Sequence, residues 1–204
     1  MFDRTAHWQA VYTTKAENEV SWFEENPATS LRLIRDAQAS ADSAIIDIGG
    51  GASRLIDALL AQGHRSLAVL DISAAALEAA KTRLGSGGAD VDWIVADVTR
   101  WTPARTYDVW HDRAAFHFLT EPADRAAYVD RLKAATTPGS QVIIGTFALD
   151  GPEKCSGLFV QRHDARSLAE ALGPSFALAD NLAEAHRTPW GAIQHFQFSR
   201  FRRL

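Results

Sequence analysis

From position 44 onward the chain alternates short apolar, β-branched runs with alanine-rich amphipathic segments, which is the grammar of βα units built around a parallel sheet. Residues 44–48 (AIIDI) read as a buried strand. The next segment, 53–62, places Leu55, Leu59 and Leu60 at helical spacing and stops at Gly63, a natural helix terminator. A second strand over 67–70 ends at Asp71, and Ser73 caps a helix reaching about position 84, with Leu77 and Leu84 on its apolar side. Third and fourth strands are expected over 92–95 and about 107–111, a helix over about 122–135, and a fifth strand over 141–147 after a Pro138-Gly139 turn.

The pattern then changes. Residues 165–172 read as a short helix, and the runs 175–182 and 191–201 as two final strands. Gln194, Phe196, Phe198 and Phe201 are nearly in strand alternation, as an antiparallel pair at a sheet edge requires. The first forty or so residues, with Trp8, Tyr12, Trp22 and Phe23, read as helical material preceding the sheet. The expected fold is α/β: a Rossmann-like, doubly wound sheet of seven strands, mostly parallel, with an antiparallel strand in a C-terminal hairpin and helices on both faces. One domain over 1–204 is expected, with a helical cap at 1–41, a core at 42–150, and a loop, helix and closing strands at 151–204.

Composition narrows the functional classes. The 204 residues are 47% hydrophobic and 23% charged, the balance of a globular chain that can bury a core without metal or disulfide staples. No run is long enough to span a membrane, the N-terminus lacks a secretory pattern, and Cys155 is the one cysteine, so a cytoplasmic setting is expected. A net charge of −4 argues against nucleic acid as a partner. Arg200, Arg202 and Arg203 form one basic cluster, read as a solvated strand edge.

The strongest chemical signal is Ile45-Ile46-Asp47-Ile48-Gly49-Gly50-Gly51-Ala52-Ser53: a strand, an acid near its end, a glycine-rich turn, then a helix. Glycine lets a ligand approach the main chain, and ligands of open parallel sheets sit beyond the carboxyl ends of the strands. A dinucleotide fingerprint would need glycine where Arg54 stands. An acid at position 47 is awkward beside a pyrophosphate but suits a ligand bearing a positive amine.

Asp47 to Gly51, Asp71 after the second strand, and Ala96-Asp97-Val98 after the third together resemble the successive cofactor motifs of class I, seven-stranded methyltransferases that use S-adenosyl-L-methionine. The resemblance covers most of the chain, from about position 42 to the end. It implies that Asp47 anchors the methionine amine through water and that the turn Gly49-Gly50-Gly51 admits the methionine and sugar. It further implies that Asp71 binds the ribose hydroxyls, that Ile72 packs on the adenine, and that Asp97 and Val98 flank it. The family often has glycine where this chain has Ser53. The N-terminal aromatics resemble the cap helices of thiopurine- and tellurite-type and elongation-factor lysine methyltransferases, where such residues help close the cofactor pocket; Tyr12 and Trp22 are assigned that role, with helix packing as the alternative.

Residues 110–118 (WHDRAAFHF) follow the fourth strand, whose end borders the reactive methyl group in this family. His111 and Asp112 are the candidate catalytic residues, His111 also a cofactor contact, because histidine titrates near neutrality and can take a proton from a nucleophile. Asp112 and Arg113 forming a structural ion pair is the competing expectation, and His117 is read as a satisfied helix-face residue. The polar loop 151–163 is a place to build specificity, and Cys155 within it is a contact or an inert small residue. The histidines are too dispersed to assign a metal site. The expected activity is methyl transfer to a small molecule; the alternatives are a protein lysine as acceptor, or a non-catalytic or nucleotide-linked Rossmann-like protein.

Overall fold

A computed structural model describes residues 3–204. Seven strands form one sheet in the order β3-β2-β1-β4-β5-β9-β8: β1 (Ala44–Ile48), β2 (Ser66–Asp71), β3 (Asp92–Val95), β4 (Val109–Arg113), β5 (Gln141–Phe147), β8 (Phe176–Arg187) and β9 (Ile193–Arg203). β1 to β5 run parallel, and β9 enters antiparallel between β5 and β8. The order reverses between β2-β1 and β4, so the carboxyl ends of β1 and β4 flank a switch point where ligands of such sheets bind.

Strand alternation divides the core in two. Ile46, Leu70, Trp110 and Ile144 face α5 (Pro122–Ala134) and α6 (Ala165–Leu172), which contribute Tyr128, Leu132 and Leu168. Ile45, Val69, Val109 and Ile143 face the opposite layer, α2 (Ala28–Asp36), α3 (Leu55–Ala61) and α4 (Ala74–Leu84), which contribute Leu33, Leu55 and Leu77. Both faces of β1, β2 and β5 are thereby covered, which is why their sequences are mainly apolar and not alternating. Ser73 caps α4 as expected, its Oγ accepting from the amide of Ala76 at 3.2 Å.

Three boundaries differ from the sequence reading. β4 begins two residues later than expected and runs through His111, Asp112 and Arg113. Tyr107 is bound outside the ladder, its amide donating to the Ala135 carbonyl at 2.8 Å. In the closing hairpin β8 runs five residues further than expected and β9 is shifted two residues toward the C-terminus, and the irregularity between Leu178 and Asp180 interrupts the alternation. The cap is not helical throughout: α1 (Arg4–Thr14) and α2 are joined by 15–27, in which only Glu17–Glu19 form a 3-10 turn, and Pro27 starts α2. A two-residue pair, β6 (Lys154–Cys155) with β7 (Leu158–Phe159), folds the loop after β5.

Candidate active site

The site is assembled at the carboxyl ends of β1, β2, β3 and β4, beneath α1 and the 15–27 segment. The larger cavity is walled on one side by Asp71, Ile72, Asp97 and Val98 and on the other by Trp8, Tyr12 and Trp22 from the cap, with Gly49 at its floor. A second cavity adjoins it, sharing Tyr12, Trp22, Gly49 and Arg113, and is lined further by Asp47, Gly50, Ser30 and His111.

The glycine turn is required by space as well as by dihedral angle. Gly49 has φ +66°, and a Cβ there would stand 2.7 Å from the Cβ of Ala115. Gly51 has φ +45°, and a Cβ would meet Asp71 Oδ2 at 2.8 Å and the Tyr12 hydroxyl at 3.1 Å. The turn is therefore as tight against β2 and the cap as a backbone can be, and both positions lie in the left-handed region that side chains disfavour.

Asp71 is 5% exposed and accepts from the Ser73 amide at 2.7 Å. Burial, opposed by the hydrogen bond from Ser73 and reinforced by the charge of Asp47, pushes its carboxyl up to about 7. Among the described residues no cation is paired with it, so hydroxyl donors of a ligand are the partners its geometry can accept. Asp97 accepts from Thr99 through both the amide (2.9 Å) and the hydroxyl (2.7 Å), and Arg4 of α1 reaches it at 3.4 Å. Gln9 of α1 accepts from the Ser73 hydroxyl at 3.1 Å and the Ala75 amide at 3.2 Å. Arg4 and Gln9, which the sequence reading did not single out, tie the cap to the two strand ends that carry the acids.

The aromatic wall is mutually packed: Trp8 meets Trp22 at 5.7 Å and Phe118 at 4.9 Å between centroids, and Tyr12 meets Trp22 at 6.3 Å. Burial and the nearby Asp71 raise the Tyr12 phenol, which stays protonated and keeps a hydrogen to donate. Tyr12 and Trp22 thus line the cavity, and Trp8 and Phe118 complete the wall.

His111 and Asp112 are adjacent in sequence but point to opposite faces of the sheet. In the parallel register His111 lies beside Asp47, and the two share the α2 face. His111 is 2% exposed; its Nδ1 is 2.7 Å from Asp47 Oδ1 and its Nε2 2.9 Å from Ser30 Oγ. Asp112 turns to the α5 face, where it is fully buried. It accepts from the amides of Ala115 (2.9 Å) and Phe116 (3.1 Å) and from the Tyr128 hydroxyl (2.7 Å), which in turn accepts from the Trp110 indole at 2.8 Å. Burial outweighs these bonds and pushes its carboxyl up to about 6. Asp112 lines neither cavity. Strand alternation therefore keeps it from the ligand space, and its bonds hold the backbone turn after β4, where Ala114 has φ +70°.

Arg113 does enter the site, but not as a partner of Asp112. Its Nη1 donates to the Trp22 carbonyl at 2.8 Å and its Nη2 lies 3.1 Å from Glu24 Oε1, so it pins the cap to β4. Glu24, Glu184 and His186 bring potential metal-donor atoms within 4.8 Å of one another, a grouping hidden in sequence by the separation of the cap from β8. Arg113 already sets a cation against Glu24. His117 is fully buried, its Nδ1 accepting from the Phe147 amide at 3.3 Å. Cys155 touches the larger cavity, but burial pushes its thiol up to about 11, which leaves it a poor nucleophile at neutral pH.

Residues 45–139 match the family model described as a methyltransferase domain. The match runs from β1 past α5 and so contains Asp47, Asp71, Asp97 and Asp112. No curated protein sequence matches the chain. Among solved structures, the chain superposes on the N-methyltransferase NodS from Bradyrhizobium japonicum, solved with S-adenosyl-L-homocysteine, with TM-score 0.73 and 16% identity over 98% of this chain and 99% of that one. The 1,6-didemethyltoxoflavin-N1-methyltransferase from Burkholderia thailandensis gives TM-score 0.67 and 20% identity over 98% and 83%. A protein solved in a study of disulfide conversion to a thioacetal during echinomycin biosynthesis gives 0.79 and 18% over 98% and 93%. The fold is the Rossmann-like, class I methyltransferase fold.

Proposed function

We propose that this chain is an S-adenosyl-L-methionine-dependent methyltransferase acting on a small-molecule acceptor. The observation that carries the reading is the convergence of Asp71, Asp97 and Gly49 on one cavity, with Asp47 lining the cavity that adjoins it. Three strand ends present, in order, an acid for an amine with a turn open to close approach, an acid for hydroxyls, and an acid with an apolar neighbour for a base. The acceptor named for one structural neighbour, 1,6-didemethyltoxoflavin, favours a small molecule, as does the cap that roofs the cavity with Trp8, Tyr12 and Trp22.

When bound, the cofactor supplies a methyl group activated by a sulfonium. Asp71 and Asp97 would hold its nucleoside end, and Tyr12 and Trp22 would exclude water while offering ring faces that attract a cation. The chain's main contribution is orientation and desolvation. His111 and Asp112 have their ring nitrogens and oxygens committed to protein partners, so they are proposed as supports of the site and not as proton acceptors. The reading is tested by calorimetric titration with S-adenosyl-L-methionine, S-adenosyl-L-homocysteine and NAD. The expected result is binding of the first two and not the third, weakened at least tenfold by Asp71→Ala; preference for NAD, or no binding, overturns it.

A further inference from the structure

Ser30, His111 and Asp47 form a continuous buried chain across three elements: α2, β4 and β1. Ser30 Oγ lies 2.9 Å from His111 Nε2, and His111 Nδ1 lies 2.7 Å from Asp47 Oδ1. The three residues are 1%, 2% and 4% exposed. A carboxylate offers acceptors only, so the Nδ1 hydrogen faces Asp47; the Nε2 lone pair then accepts from the Ser30 hydroxyl. Each group thus has the one partner that burial demands.

From this geometry we infer that Ser30 and His111 are positioning residues for Asp47, fixing the carboxylate that receives the amine of the cofactor's methionine end. The inference rests on the proposed function and extends it to a coupling: the anchor on β1 is aimed by a hydroxyl on the cap. Asp47 sits under the glycine turn, and a Cβ on Gly50 would stand 2.5 Å from its Oδ2. Oδ1 is held by His111, so the carboxylate cannot rotate to a second orientation without breaking the chain. Ser30 lies in the same helix as Leu33 and Ile34, which are buried against the sheet, so the hydroxyl is delivered by a helix already docked. Outer partners of this kind set the orientation and basicity of the group that meets the ligand.

The test compares two nucleosides that differ at one end. S-adenosyl-L-homocysteine carries the amine; 5′-methylthioadenosine lacks it. Ser30→Ala leaves Nε2 with no donor, and we expect about three- to tenfold weaker binding of the first nucleoside, the range of one lost hydrogen bond, with the second unchanged. Ser30→Thr keeps a hydroxyl, and His111→Gln keeps a donor and an acceptor at opposite ends of a planar group; both should recover most of the loss. Nitrogen-15 shifts of the His111 ring should report the Nδ1-protonated tautomer. Equal loss of both nucleosides in Ser30→Ala, or loss of neither, overturns the positioning role, as does an Nε2-protonated ring. Wild-type protein that binds neither nucleoside overturns the functional reading itself.

Discussion

Asp71 illustrates a residue whose placement serves binding at the expense of stability. Its carboxyl is pushed up to about 7 by burial and by Asp47, far above an unfolded aspartate. Between these two values the folded chain holds a proton that the unfolded chain has released, so this group lowers stability as pH rises from about 4 toward 7. Asp71→Asn removes the buried charge while preserving shape. At pH 8 it should raise the urea midpoint of the ligand-free protein, a gain of about 1–3 kcal/mol, while weakening S-adenosyl-L-homocysteine by about tenfold or more. Unchanged affinity, or a lowered midpoint, would contradict the assignment. Gly49 offers a companion experiment with separable causes. Gly49→Ala adds a left-handed strain of about 1–2 kcal/mol to a clash with Ala115, whose Cβ would lie 2.7 Å away. Ala115→Gly in the same chain removes the clash alone, so the double variant should recover part of the lost stability and not all of it.

At the scale of elements, the cap is held by polar ties more than by helix propensity. Arg83 of α4 donates to Glu17 and Asp57 at 2.8 and 2.7 Å and to the carbonyls of Ala52 and Ser53, with its side chain only 16% exposed; Arg54 also pairs with Glu17. An isolated surface pair contributes little, but one half-buried guanidinium closing four acceptors is a clamp between the 3-10 turn, the glycine loop and α3. Arg83→Ala should therefore speed hydrogen exchange over 15–27 and weaken cofactor binding, with little change in exchange at β4 and β5; uniform acceleration across the sheet would identify a general destabilisation instead. This clamp is invisible in sequence, since Glu17 and Arg83 are 66 positions apart and each reads as an ordinary solvated charge. β1, β2 and β5 are legible because strands buried on both faces are mainly apolar, β3 because Trp93-Ile94-Val95 is an apolar run, and the acids at 47, 71 and 97 because each lies at or just beside the end of a strand. β4 was misplaced because its last three residues, His111, Asp112 and Arg113, are polar, and polarity was read as the end of the strand. Strand alternation applied to the register of Asp47 with His111 would have sent Asp112 to the far face. Ser30 carried no local signal at all, because its partner lies 81 positions away.

For the whole molecule, the buried titratable groups set opposing dependences on pH. His117 and His163 are pushed down to about 3 and about 4 by burial, with cationic neighbours adding to the effect. Below the unfolded histidine value near 6.5 the unfolded chain takes up protons that these rings refuse, so their contribution to stability is complete above that value and lost as pH falls toward 4. Asp71 and Asp112 act in the opposite sense: raised to about 7 and about 6, they hold protons in the folded state that the unfolded chain lacks over much of the same interval. Two imidazoles and two carboxyls on the two sides of one sheet thus nearly cancel between about pH 4.5 and 6. Each uncompensated imidazole approaches a slope of about 1.4 kcal/mol per pH unit. The wild-type urea midpoint should consequently vary little across that interval. Replacing Asp71 by Asn removes one opposing term, and the variant, more stable than wild type at pH 8, should lose that advantage steadily as the buffer is acidified and converge on wild type near pH 4. Parallel pH profiles of the two proteins would show that Asp71 does not hold its proton in the folded state, and would remove the electrostatic basis for treating it as a carboxyl that waits for a ligand's hydroxyl groups.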